Sequence, residues 1–180
     1  MCGTDLGTVL QERVFTPLGM RDTGFDVPEA GLDRFVPQLA VAPEGGFGVF
    51  DPVDGAWSAP PDFPSGAAGL VSTVDDLLAF ARALRSGGDP ILSPGSVAEL
   101  TTDRLTPAQR ADGAMFLDGA GWGLGMAVEA DGRYGWDGGL GTGWCSDPST
   151  GIVSLLLTQV LWAGPEGPEL IHTFRAAAHS

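Results

Sequence analysis

The chain has 180 residues, 43% of them hydrophobic, so one domain with a buried core is expected and wholesale disorder is excluded. Acidic residues outnumber basic ones by 23 to 9, a formal net charge of −14, which argues against nucleic acid and membrane surfaces as partners. All nine basic residues are arginine, and without lysine the chain can form neither a Walker-type phosphate loop nor a Schiff base.

The cysteines, the histidines and the apolar stretches exclude further classes of protein and of site. Cys2 and Cys145 are too few for a disulfide framework or a zinc site, so we expect two free thiols, with Cys145 half-buried in a strand. His172 and His179 are interpreted as surface residues of a C-terminal helix. The sequence predicts no signal peptide, and its longest apolar stretch, residues 152–163, is too short to span a bilayer. A soluble chain is predicted, with its compartment left open.

The first 69 residues divide into a helix and an irregular region. Thr4 or Asp5 can cap the helix, and Pro17 is expected to end it. Residues 26–69 contain seven prolines and little periodicity. We interpret them as a surface excursion with candidate short strands at residues 38–42 and 47–50.

The clearest helix lies within residues 70–86. Ser72 or Thr73 caps it, and Asp75 and Asp76 occupy its first turn, where negative charge favours the helix dipole. Apolar side chains then recur at helical spacing, which indicates that one face of this helix is buried.

The rest of the chain is predicted to be two helices flanking strands. Ser93 caps a helix with Pro94 in its first position, residues 106–119 form a loop, and residues 121–129 form a glycine-rich strand. A helix over residues 165–178 closes the chain, with its inward face formed by Leu170, Ile171 and Phe174.

Residues 133–159 are predicted to form three short strands joined by turns at residues 136–139 and 147–151. The fold class is therefore α+β, with an antiparallel meander of about three strands, flanking helices and a C-terminal helix. Residues 1–180 are expected to form a single domain. Its first part, residues 1–120, is helical and irregular, and residues 121–180 hold the strands and the last helix.

The residue types alone identify no catalyst. None of the ten serines lies in a Gly-x-Ser-x-Gly elbow, and the two histidines lie too near the C-terminus to build a Ser-His-Asp site. With 23 carboxylates, no particular acid pair can be chosen.

Several segments match a family pattern in chain order. Residues 14–25 read VFTPLGMRDTGF, residues 68–77 read AGLVSTVDDL, and residues 134–142 read YGWDGGLGT, followed by Asp147-Pro148. These segments resemble the serine β-lactamase-like hydrolases related to class C β-lactamases, a group that includes D-amino-acid peptidases and esterases. The resemblance covers nearly the whole chain.

The resemblance implies a partial β-lactamase/transpeptidase-like fold. Family members transfer acyl groups through a Ser-x-x-Lys nucleophile and a Tyr-x-Asn motif, both of which precede the segment matched by residues 14–25. The nucleophile, its lysine and the first two strands therefore have no counterpart here, and Tyr134, the only tyrosine, lies too late to replace the tyrosine motif. We assign no catalytic residue, and the resemblance implies no metal or organic cofactor.

The third family motif does carry over, as the candidate substrate-binding and oxyanion side of a site. Trp136 stands where the family has Lys, His or Trp, and Asp137 and Gly138 follow. Tryptophan offers no positive charge to a β-lactam carboxylate, which favours an esterase-like substrate. The backbone N–H of Gly139 takes the place of an oxyanion-hole donor. The alternative is that residues 137–139 are only a hairpin turn.

Three hypotheses remain open. The first is the C-terminal part of a hydrolase of small ester or amide substrates, inactive alone. The second is a non-catalytic association module whose exposed sheet edge pairs with a second copy or with a separately encoded N-terminal portion. The third is that the start at Met1 reflects a truncated gene or gene model.

Overall fold

The computed structural model describes residues 3–164 and 167–180, which fall into two compact units. The first unit comprises Met1–Phe80 and Gln159–Leu161, and the second comprises Ala81–Thr158 and Trp162–Ser180. Helices and antiparallel sheets occur together, which confirms the predicted α+β class. The expectation that residues 1–180 form one domain stays a prediction.

The first unit opens with a continuous helical run made of α1 (Leu6–Leu10), a π-helical turn (Gln11–Phe15) and α2 (Thr16–Leu18). The Asp5 carboxylate caps the run by accepting the N–H of Thr8 at 3.0 Å. The prediction that Pro17 ends the helix is wrong, because the wide π turn before it tolerates a residue without an N–H. The run ends instead at Gly19, whose φ of 71° suits glycine.

Both candidate strands of the irregular region are confirmed as an antiparallel hairpin, β1 (Gln38–Val41) and β2 (Phe47–Asp51). The backbone of Leu39 also bonds the segment Gln159–Leu161, accepting the N–H of Leu161 at 2.7 Å and donating to Gln159 at 2.6 Å. The hairpin is flanked by two 3-10 turns, Glu29–Arg34 and Ala56–Ser58.

Helix α3 (Val74–Arg85) is capped by the Thr73 hydroxyl, which accepts the Asp76 N–H at 3.2 Å. The buried Asp76 carboxylate accepts the N–H of Asp22 at 2.9 Å and the hydroxyl of Thr23 at 2.8 Å. An antiparallel bridge joins Gly24 and Val71 beside it. Two of the segments that carry the family pattern are therefore fastened to each other through one carboxylate.

In the second unit, α4 (Pro94–Leu100) begins after Ser93 as predicted. The loop predicted for residues 106–119 is wrong, because this stretch forms α5 (Pro107–Asp112) and α6 (Ala114–Leu117). Thr106 and Gln109 form a reciprocal capping box ahead of Pro107, a helix-start signal that the sequence contained.

The sheet of the second unit is an antiparallel meander with five strands rather than about three, in the order β3-β4-β5-β6-β7. The strands are β3 (Gly121–Trp122), β4 (Ala127–Val128), β5 (Tyr134–Gly138), β6 (Thr142–Ser146) and β7 (Val153–Leu157). The additional strands arise because the glycine-rich stretch folds back on itself. Gly123 donates to the Met126 carbonyl at 2.9 Å, and Gly125 has a φ of 100°.

The turn predicted at residues 136–139 lies further along the chain. Trp136, Asp137 and Gly138 belong to β5, and residues 139–141 form the turn. Gly141 donates to the Gly138 carbonyl at 2.9 Å and has a φ of 92°, as in a three-residue hairpin loop that ends in a glycine bulge. The second predicted turn is confirmed, since Gly151 donates to the Asp147 carbonyl at 2.9 Å.

The last helix, α7 (Glu169–Ala178), packs against β7. The beginning of the predicted helix, residues 165–166, lies outside the described residues. Ile171 is buried as predicted, but Leu170 is 56% exposed and does not face inward. The core of the second unit includes Leu84, Met126 and Tyr134.

Candidate active site

The second half of strand β5 has a free backbone edge within the described residues. Strand β4 pairs only with Tyr134 and Gly135, so the stretch from Trp136 to Gly138 is paired on one side by β6 alone. The sequence-predicted residues therefore occupy the end of a strand whose other side can accept a ligand.

A cavity of about 740 Å³ opens along this strand end, a volume suited to a small-molecule ligand. Trp136, Asp137 and Gly139 line it, whereas Gly138 does not. Its other walls come from β6, α6 and α7, and α7 contributes His172 and Arg175. Three of the four predicted site residues thus meet at one cavity.

Gly139 lines this cavity and carries a backbone N–H without a bonded acceptor among the described residues. Its carbonyl accepts the N–H of Trp162 at 2.9 Å. The turn is held further by Thr158, whose N–H and hydroxyl reach the Gly141 carbonyl at 2.9 and 2.8 Å. The free N–H is therefore fixed in place before any ligand arrives, as an oxyanion donor must be.

A side chain at Gly138 would require Thr142 to shift. A Cβ atom here would lie 2.8 Å from the Thr142 hydroxyl oxygen across the hairpin. Gly135, earlier in the strand, is more restricted still, because its Cβ would lie 2.0 Å from the Trp144 carbonyl oxygen. The close pairing of β5 and β6 therefore requires glycine at position 135, where the obstacle is backbone.

Trp136 is the centre of an aromatic cluster rather than a charged anchor. Its ring centroid lies 4.6 Å from that of Trp122 in an edge-on arrangement and 4.9 Å from that of Phe116. Such pairs add about 0.5–1.5 kcal/mol beyond the burial of their area. The cluster fixes the indole at the cavity wall.

Asp137 points towards α7, where its carboxylate accepts a hydrogen bond of 2.6 Å from Arg175. Burial raises the pKa of Asp137, and the charge and hydrogen bond of Arg175 oppose that increase. Arg175 is the one arginine among the described residues that line the cavity, and Asp137 already compensates its positive charge.

The structure also assembles a Ser-His-Asp arrangement that the sequence analysis did not anticipate. Ser154 Oγ lies 2.9 Å from His179 Nε2, and His179 Nδ1 lies 3.9 Å from the Asp147 carboxylate. The prediction of His179 as a surface residue is wrong, because its side chain is only 2% exposed. Burial, followed by the charge of Arg133, lowers its pKa.

This arrangement fastens the end of α7 to the sheet. Ser154 is 7% exposed and its hydroxyl also reaches the Cys145 carbonyl at 3.5 Å, so substrate has no access to it. Cys145 is more buried than the predicted half-buried position, since only 4% of it is exposed. Burial raises the pKa of its thiol. Cys2 lies outside the described residues.

Among the described residues, no group of three or more His, Cys, Asp and Glu side chains is placed to hold a metal ion. No described helix combines the length and the apolar character needed to cross a membrane.

Two curated proteins are similar to this chain along most of its length. Protein Rv1367c of Mycobacterium tuberculosis is 36% identical over 84% of this chain and 42% of its own length. Esterase EstB of Burkholderia gladioli is 32% identical over 92% of this chain and 47% of its own. The chain thus spans less than half the length of these curated relatives.

Among solved structures, EstCE1, described as a hydrolase with promiscuous acyltransferase activity, is 26% identical. It superposes with a TM-score of 0.76 over 99% of this chain and 51% of its own. The family model described as beta-lactamase matches residues 1–175. The chain therefore belongs to the beta-lactamase family, the serine β-lactamase-like hydrolases.

Proposed function

We propose that this chain supplies the substrate-binding edge and one oxyanion-hole donor of an enzyme that hydrolyses ester or amide bonds through an acyl-serine intermediate. The observation that carries the proposal is Gly139, a residue of the cavity lining whose N–H bonds no acceptor among the described residues.

The donor acts when the carbonyl carbon is attacked. A serine oxygen adds to the carbon as its proton passes to a base, and the carbonyl oxygen gains negative charge. The tetrahedral intermediate then expels the alcohol or amine, which takes up that proton, and water later releases the acid. A donor fixed towards the developing charge lowers the barrier by about 3 kcal/mol.

The charges of the cavity favour an uncharged substrate. Trp136 stands where other members carry a cation, and the positive charge of Arg175 is paired with Asp137 at 2.6 Å. A β-lactam carboxylate would therefore meet no uncompensated arginine or lysine in the described lining. The relatives named esterase and hydrolase support an ester or amide substrate for the complete enzyme.

We further propose that the 180-residue chain is inactive by itself. The sequence contains no lysine, and no serine is found among the described residues that line the cavity. Purified chain is expected to turn over neither nitrocefin nor p-nitrophenyl esters. Serine-dependent turnover above background would contradict this proposal.

The outer edge of β7 is the proposed attachment for the rest of the enzyme, because within the described residues β7 pairs only with β6. Residues 1–180 can replace the matched region of EstB in a chimera. The proposal predicts that the chimera hydrolyses p-nitrophenyl butyrate. A folded chimera without activity would contradict it, and a dimer of the isolated chain in light scattering would favour the association module.

A further inference from the structure

The cavity beside Gly139 has an exposed apolar side that the catalytic proposal does not use. Met115 and Phe116 on α6 line it and are 84% and 63% exposed. The Phe116 ring lies 4.9 Å from that of Trp136 and 6.3 Å from that of Trp122. We call Met115, Phe116, Trp122 and Trp136 the aromatic shelf; Met115, Phe116 and Trp136 line the cavity, and Trp122 contacts the rings of Phe116 and Trp136.

The three rings of the shelf contact one another, which distinguishes them from isolated exposed hydrophobic residues that need no explanation. The centroids of Trp122 and Trp136 are 4.6 Å apart, so the two indoles support each other. The Phe116 ring is inclined by 45° to that of Trp136, and Phe116 is 63% exposed and lines the cavity.

The shelf lies at a useful distance from the proposed oxyanion donor. Trp136 lies in β5 and Gly139 directly follows the end of that strand, three residues further along the chain, which places their backbones roughly 10 Å apart. Both line the same cavity of about 740 Å³. A substrate whose carbonyl oxygen accepts the Gly139 N–H can therefore lay an apolar substituent along the shelf.

We propose that the aromatic shelf is a specificity site for the apolar substituent of an uncharged ester or amide, with Phe116 as its exposed determinant. The inference rests on the proposed function, because it takes Gly139 to mark the carbonyl position. All four shelf side chains are uncharged, so the shelf selects by apolar area and gives no attraction to a charged substituent.

The test uses the 180-residue chain and stable primary amides, from butanamide through hexanamide to octanamide. Affinities are measured from the shifts of the tryptophan indole N–H signals in nuclear magnetic resonance spectra. A fully buried methylene tightens binding roughly fourfold, so an open shelf should give about twofold per methylene. Phe116→Ala should remove at least half of this chain-length dependence.

Phe63→Ala is the matched control, because Phe63 is 80% exposed and does not line the cavity. It should keep the wild-type dependence. Three results would overturn the proposal: octanamide shows no saturable binding, the wild-type chain binds all three amides equally, or Phe116→Ala keeps the chain-length dependence. A change in sedimentation of Phe116→Ala with an unchanged dependence would show that the shelf contacts protein instead.

Gly139→Pro separates this inference from the catalytic proposal, because proline removes the backbone N–H. The variant should weaken all three amides by a common factor of about five, the value of one hydrogen bond, and keep the chain-length dependence. If it binds like wild type while Phe116→Ala loses the dependence, the donor role fails and the shelf stands.

Discussion

Replacing Asp76 by alanine should destabilise the protein far more than replacing its neighbour Asp75. The buried Asp76 carboxylate accepts the Asp22 N–H at 2.9 Å and the Thr23 hydroxyl at 2.8 Å. Each hydrogen bond to a charged group contributes about 1.5–3 kcal/mol, and alanine leaves both donors without it. Since Thr23 can still bond Ser72 at 2.8 Å, we expect a net loss of about 3 kcal/mol.

The assay is urea unfolding followed by circular dichroism, with Asp75→Ala as the control. Asp75 is exposed in the first turn of α3, so its loss removes only a dipole interaction of about 0.3–1 kcal/mol. Asp76→Asn keeps one acceptor oxygen and should fall between the two alanine variants. If Asp76→Ala and Asp75→Ala differ by less than about 1 kcal/mol, the carboxylate does not join the segments as described.

Two further predictions concern the sheet. Gly135→Ala should lower the free energy of unfolding by more than about 3 kcal/mol in the same assay, because its Cβ would meet the Trp144 carbonyl oxygen at 2.0 Å. Gly48→Ala is the control and should be nearly neutral, because a Cβ at Gly48 meets nothing within 4 Å. Equal effects of the two substitutions would exclude close pairing of β5 and β6 at Gly135. Acidification should also destabilise the fold. The folded-state pKa of His179 is lowered, so its contribution is present above the unfolded value near 6.5 and is lost as pH falls through the folded-state pKa. His179→Gln should flatten the stability curve between pH 7.5 and 5.5; an unchanged curve in this variant would contradict the buried neutral imidazole.

Several helix starts were predicted correctly where a capping residue marks them in the sequence. The cap at Thr73 and the Ser93-Pro94 start were correct because capping depends on neighbouring residues alone. The start of α5 carries the same kind of local signal, the capping box formed by Thr106 and Gln109.

The position of the hairpin turn required information that neighbouring residues do not contain. Asp137-Gly138-Gly139 has the composition of a tight turn, but pairing of Trp136 with Trp144 draws these residues into β5. The turn then falls at residues 139–141, where Gly141 takes the positive φ. Cross-strand pairing therefore decided the register over local turn propensity.

Contacts between residues far apart in the chain could not be predicted from the sequence. His179 meets Ser154 across 25 positions, and Arg175 meets Asp137 across 38. No periodicity links such pairs, since they depend on how α7 packs against the sheet. The family pattern pointed to Trp136–Gly139, but only the fold showed that the Gly139 N–H is unpaired and fixed.

The most direct test of the account compares Gly139→Pro with Gly139→Ala in the EstB chimera. Gly139 is the second residue of a turn closed by Gly141 and Gly138, a position where proline is favoured, and a Cβ there meets nothing within 4 Å. Proline therefore removes the N–H with little else changed, whereas alanine keeps it. The account predicts that p-nitrophenyl butyrate turnover falls about 10²–10³-fold in Gly139→Pro and stays within severalfold in Gly139→Ala. Equal turnover in both variants would contradict the role of this N–H in catalysis.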